Sequence, residues 1–164
     1  MRKLFSNGLV VFAGVVSLPL IGSYADATKP MPSEYRDSHD PRLTSLRAFF
    51  RRMNSPAAKL SHVFLETADK YNLDWRLLPS LSLVETGGGK AARNNNLFGW
   101  DCGRAEFSSA IHCIRSVAYS LTHSVLYRNK DVDGILKTYN PANSEYATKV
   151  KSVMRSIAPG EEVD

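Results

Sequence analysis

Residues 77–89 read Leu77-Leu78-Pro79-Ser80-Leu81-Ser82-Leu83-Val84-Glu85-Thr86-Gly87-Gly88-Gly89. Leu77, Leu78, Leu81 and Val84 recur at helical spacing, so the stretch reads as a core helix following Asp74. Pro79 lacks a backbone donor, which places the start of the regular helix close to it. Three successive glycines end the pattern and free the backbone to bend. The helical period continues on both sides. Asp40-Pro41 opens a segment with Leu43, Leu46, Phe49, Phe50 and Met53 on one face, an N-cap followed by proline at the first helical position. Ser55-Pro56 repeats that signal ahead of Leu60, Val63, Phe64, Ala68 and Tyr71, and Asn72 can end the helix. From Ser109 the period returns with Ile111, Ile114, Val117, Ala118, Leu121 and Val125. A short helix over Val132–Thr138 and a last one over Asn143–Ile157 follow. No series of residues alternates as strands do. The expectation is an all-α domain with one irregular insert, residues 86–108.

The chain has 164 residues, room for one ordinary domain. With 43% hydrophobic and 23% charged residues it is globular in composition rather than disordered. Arg2 and Lys3, the apolar run Leu9–Ile21 and Ala25-Asp26-Ala27 together read as an export signal over residues 1–27. The apolar run falls short of the roughly 20 residues that span a bilayer, so no stable membrane anchor is expected after cleavage. Residues 28–40 mix proline, serine and charge as a linker, residues 41–158 form the domain, and 159–164 read as a tail. The net charge of +5 is dispersed. It suits an anionic polymer or surface and disfavours nucleic-acid readout.

Three clusters can carry chemistry. Glu85 closes an apolar helix. There the macrodipole and partial burial both disfavour the carboxylate and raise its pKa, as a general acid near neutral pH requires. A solvated glutamate at a frayed end is the alternative. Asn94-Asn95-Asn96-Leu97-Phe98-Gly99-Trp100 places amides beside two aromatic rings. Rings can stack on sugar faces while amides bond hydroxyl and acetamido groups, although a loop anchored by two aromatics would read the same. Lys137-Thr138-Tyr139-Asn140-Pro141 and then Tyr146 offer phenols that could position a carboxylic acid or simply pack.

Taken together, LLPSLSLVETGGG and NNNLFGW resemble the "Leu-Pro-Ser-Leu … Glu-Ser-Gly-x-Gly … Asn-Asn-Leu-Phe-Gly" signature of glucosaminidase domains. Those are the family 73 glycoside hydrolases and their Bax-like relatives in the lysozyme superfamily. The resemblance runs from about Ala57 to Ile157. It implies a lysozyme-like helical fold and endo-β-N-acetylglucosaminidase cleavage of peptidoglycan glycan strands, with no cofactor. It implies Glu85 as the catalytic acid and Tyr139 as the active-site tyrosine. Asn95, Asn96, Leu97, Phe98 and Gly99 would floor the cleft, and Trp100, Asn140 and Tyr146 join them as candidate substrate contacts.

Thr86 stands where the signature has serine and keeps the hydroxyl. Asp101 and Glu106 are the only acids in the insert after Glu85, and therefore the only candidates there for a second carboxylate. A lytic transglycosylase is the enzymatic alternative, since Tyr139-Asn140 also resembles the "Ala-Tyr-Asn" motif of that group. A cell-wall binding or scaffold protein is the non-catalytic one. Cys102 and Cys113 are expected to form a disulfide in an exported protein. His39, His62, His112 and His123 show no metal spacing. The expected partner is the glycan strand, met by a monomer in the periplasm or outside the cell.

Overall fold

Asp40 accepts the backbone N–H of Arg42 at 2.8 Å and Pro41 follows it, which starts helix α1, Pro41–Arg52. The computed structural model describes residues 40–163; residues 1–39, on which the expected export signal and most of the expected linker fall, and Asp164 lie outside them. Ser55 caps the next segment in the same way, but the chain first makes a tight 3-10 turn, Pro56–Leu60. It becomes α-helical only in α2, Ser61–Lys70. Helix α3 spans Leu77–Thr86 with Pro79 in its first turn, where a missing donor costs no intrahelical bond. Helix α4, Ala110–His123, is capped by Ser109, and α5, Val132–Tyr139, by Asp131. Helix α6 is Tyr146–Ile157. It starts three residues later than the sequence suggests, because Asn143 spends its side-chain oxygen on Glu145 N–H in a turn. Among the described residues the fold is all-α, with no strand.

Helix α3 runs through the middle. It packs on α6 along one side and on α2 along another, while α1 and α4 also lie against α2 and α5 against α6. Leu77, Leu78 and Leu81 are fully buried in it, each burial stabilising the fold by about 1.5–3 kcal/mol. An aromatic ladder joins Phe50 of α1, Phe64 of α2 and Phe98 of the insert, with centroids 5.6 and 6.4 Å apart. The hydrophobic face of α4 is shorter than its periodicity implied. The helix stops at His123, and Val125 lies beyond it, 79% exposed. Met53 and Ile111, also expected inside, sit exposed at the rim of the core.

The N-terminal end of α3 is closed by Arg76, which is buried. Its guanidinium bonds both oxygens of Asp74 and the main-chain oxygens of Glu161 and Glu162 at 2.6–3.0 Å. Trp75 Nε1 donates to Glu161 Oε2, and Val163 packs against the core. The tail expected from residue 159 onward is thus bound to the domain, which extends to the last described residue. An arginine directly before the first residue of a helix carries no sequence mark of such a role.

Candidate active site

Glu85 lies in the last turn of α3, half-buried. Gly87 follows in the left-handed region (φ +66°), and the Gly87 and Gly88 N–H groups close the helix onto the carbonyls of Leu83 and Ser82. A Cβ at Gly88 would stand 2.1 Å from Ser55 Oγ, the atom that donates to Gly88 O. Only glycine lets the turn approach so closely. The turn sends the chain back across the end of α3, where Thr86 Oγ1 donates to Leu97 O at 2.7 Å and accepts from Gly89 N–H. This is the work of the hydroxyl at position 86, and threonine supplies it as serine would.

The insert is fixed from within. Asn96 is buried: its amide nitrogen donates to Trp100 O and Ala105 O, and its oxygen accepts from Trp100 N–H. Asn95 takes left-handed φ, and its amide donates to Phe107 O while the residue stays exposed. Phe98 is fully buried in the aromatic ladder. Of the expected floor of the cleft, Asn96 pins the loop and the Phe98 ring packs the core, so both side chains are engaged inside the fold. Asn140 is buried at the end of α5. Trp100 is half-buried, its ring 5.8 Å from Tyr139 and 6.1 Å from Tyr127.

The loop delivers Gly99 (φ +59°) to the acid, where a Cβ would lie 3.4 Å from Glu85 Oε2. The other carboxyl oxygen, Oε1, accepts the hydroxyl of Tyr146 at 2.6 Å. The resemblance implies Tyr139 as the active-site tyrosine; the phenol that bonds Glu85 is that of Tyr146. Tyr139 is buried and donates to Phe98 O at 2.6 Å, while its ring stacks on Tyr146 with centroids 5.8 Å apart and planes at 4°. Tyr139 therefore holds both the loop and the ring of the phenol that touches Glu85. The missed signal was register: Tyr146 opens α6, and α6 packs along α3.

Burial pushes the Glu85 carboxyl above its ordinary value, opposed in part by the Tyr146 hydroxyl and by the positive charge of Lys149. Desolvation also raises both phenols, with the Glu85 charge adding to it, and burial lifts Tyr127 to about 12. All three phenols stay protonated donors at neutral pH.

The two candidates for a second carboxylate are occupied elsewhere. Asp101 is exposed and paired with Arg104 at 2.8 Å, and Glu106 is exposed and accepts from Asn94 at 2.9 Å. Neither contributes to the electrostatics at Glu85. The expected disulfide is absent, and both thiols are free. Cys113, on the first turn of α4, is buried beneath the Leu97–Phe98 backbone, where its thiol is pushed up to about 11. Cys102 faces solvent on the left-handed Asp101–Gly103 turn.

A depression of about 210 Å³ lies beside the same loop, between Pro56, Leu60, Gly89, Asn95 and Leu97, and does not include Glu85. Among the described residues no three His, Cys, Asp or Glu side chains gather as a metal site would need. No described helix is long and apolar enough to cross a membrane. No family model matches the chain, and no curated protein is significantly similar to it.

Proposed function

We propose that the protein is an exported peptidoglycan hydrolase that cleaves glycan strands as an endo-β-N-acetylglucosaminidase, with Glu85 as the general acid. The observation that carries this reading is the asymmetric carboxyl of Glu85. Oε1 is engaged by Tyr146, and Oε2 lies against Gly99, where no side chain intervenes. A protonated carboxyl bonded in this way keeps its carbonyl oxygen toward the phenol and its O–H on Oε2. From there the proton can pass to a glycosidic oxygen as the bond to the anomeric carbon breaks. Burial keeps the acid protonated to higher pH than a solvated glutamate. The Tyr146 phenol then stabilises the carboxylate left behind.

A second reading rests on the engagement of Asp101 by Arg104 and of Glu106 by Asn94. With Glu85 as the single carboxylate, the sugar's own acetamido oxygen would trap the anomeric carbon. Glu85 would next deprotonate the incoming nucleophile. Water as nucleophile makes the hydrolase; the 6-hydroxyl of muramic acid makes a lytic transglycosylase. The deciding experiment digests purified peptidoglycan with the protein and weighs the fragments. The hydrolase leaves reducing N-acetylglucosamine ends that borohydride reduces. Anhydro ends, one water lighter and inert to borohydride, assign the transglycosylase, and intact strands reject both.

A further inference from the structure

Helix α6 brings a second polar residue to the acid. Lys149 follows Tyr146 by three residues, so the two side chains share a face of the helix. Tyr146 on that face touches Glu85 at 2.6 Å. Lys149 is exposed, and among the described residues its ammonium makes no ion pair within 4 Å. Two residues further along α6, Lys151 pairs with Asp133. Glu145 caps α6 one turn earlier and its carbonyl accepts the main-chain N–H of Lys149 at 2.9 Å, but its carboxylate makes no ion pair with the Lys149 ammonium within 4 Å. Glu85 is mostly neutral when it acts as an acid, so it leaves the lysine charge largely unanswered at the moment a substrate arrives.

We infer that Lys149 is a specificity-determining residue, an anchor for a carboxylate on the sugar or attached to it, and that the site takes acidic rather than neutral glycans. This rests on the glycosidase reading of Glu85 given above. A cation at the edge of a half-buried site attracts an anionic substituent without needing a fixed bidentate geometry, as a lysine does better than an arginine fork. The carboxylate could belong to the lactyl ether of muramic acid or to a peptide hung from it, and the shared chemistry is an anion beside the scissile bond. The same charge would favour the ionised form of Glu85 after proton transfer, when the next nucleophile must be deprotonated.

The test compares three soluble strands: one stripped of peptides with free lactyl carboxylates, one with those carboxylates capped as methylamides, and one carrying its peptides. For the wild type and for Lys149→Gln, kcat/KM is measured on each at low and at physiological salt. The expected result is a wild-type preference for an anionic strand over the capped one. That preference should fall about fivefold in Lys149→Gln, mostly through KM, and return in Lys149→Arg. Salt should erode the wild-type preference and leave that of the glutamine variant unchanged. Which anionic strand loses more in the variant identifies the lactyl or the peptide source. A ratio that does not change, or equal losses on all three strands, overturns the inference. If the wild type cleaves none of them, the glycosidase reading itself falls. Calorimetric binding to Glu85→Gln and to Glu85→Gln/Lys149→Gln then decides for Lys149 alone. Charge-selective binding lost with the lysine supports the anchor; equal binding, or none, overturns it.

Discussion

The two ends of α3 each carry a charge out of full contact with water, and they treat it in opposite ways. At the N-terminal end, buried Arg76 has Asp74 on one side and two main-chain carbonyls of the C-terminal segment on the other. Its charge is answered and its donors are filled. At the C-terminal end, Glu85 is desolvated by burial and receives one hydroxyl on one of its two oxygens. A group compensated like Arg76 is structural, because ionisation there is fixed and nothing is left to react. A group compensated like Glu85 stays poised between protonation states, which costs stability and leaves an oxygen available.

That contrast is most exposed at Arg76. Arg76→Leu removes the guanidinium and leaves Asp74 and two carbonyls without their donor, a loss of about 3 kcal/mol as for other broken buried pairs. Thermal unfolding should fall by roughly 10 °C or more. A melting temperature within 2 °C of the wild type would mean that the C-terminal segment is held by other contacts.

At the other end, Tyr146→Phe removes the hydroxyl that favours the ionised Glu85. Glu85 should then hold its proton to still higher pH, and the alkaline limb of the activity profile should move upward. Cleavage at the optimum should drop about tenfold because the acid loses its fixed orientation. An unmoved limb would show that Tyr146 does not act on the carboxyl. Tyr139→Phe provides the contrast, since it removes the hydroxyl that holds Phe98 O and leaves the Tyr146–Glu85 bond in place.

A smaller effect has the opposite sign. A carboxyl whose folded-state pKa is raised contributes its full share to stability below the unfolded value and loses it as pH rises through the folded value. Glu85→Gln keeps an acceptor for Tyr146 and removes the desolvated charge. It should therefore be more stable than the wild type near pH 7, by about 1 kcal/mol, with the gap closing toward pH 4. Calorimetric melts across that range check it; a variant less stable at pH 7 would deny the desolvation. The smallest perturbation is chemical labelling of the thiols. Exposed Cys102 should react with a maleimide in the native protein, and Cys113, buried and shifted to about 11, only after unfolding.

Much of this was legible in the sequence. The apolar spacing of Leu77, Leu78 and Leu81, the cap-proline pairs at Asp40 and Ser55, and the glycines after Glu85 depend on local chemistry, and each element formed where those signals lay. Three features depended on tertiary structure instead. Asn96 and Phe98 belong to a cluster that looks ligand-facing by composition, yet whether an amide or a ring points inward is decided by a folded-back loop that no periodicity describes. Tyr139 and Tyr146 are seven residues apart in sequence. Which of them meets Glu85 depends on the packing of α6 along α3, a tertiary fact. The disulfide was argued from compartment, and the structure instead turns Cys113 into the core and leaves Cys102 on a solvent-facing turn.

The central claim is that the free oxygen of Glu85 delivers a proton to a glycan. The most direct measurement is the rate at which purified peptidoglycan releases soluble fragments with the wild type and with Glu85→Gln, alongside strand binding by both. The expected result is undiminished binding and a rate about 10²–10⁴-fold lower in the variant. A rate within threefold of the wild type would contradict the assignment of Glu85 as the acid.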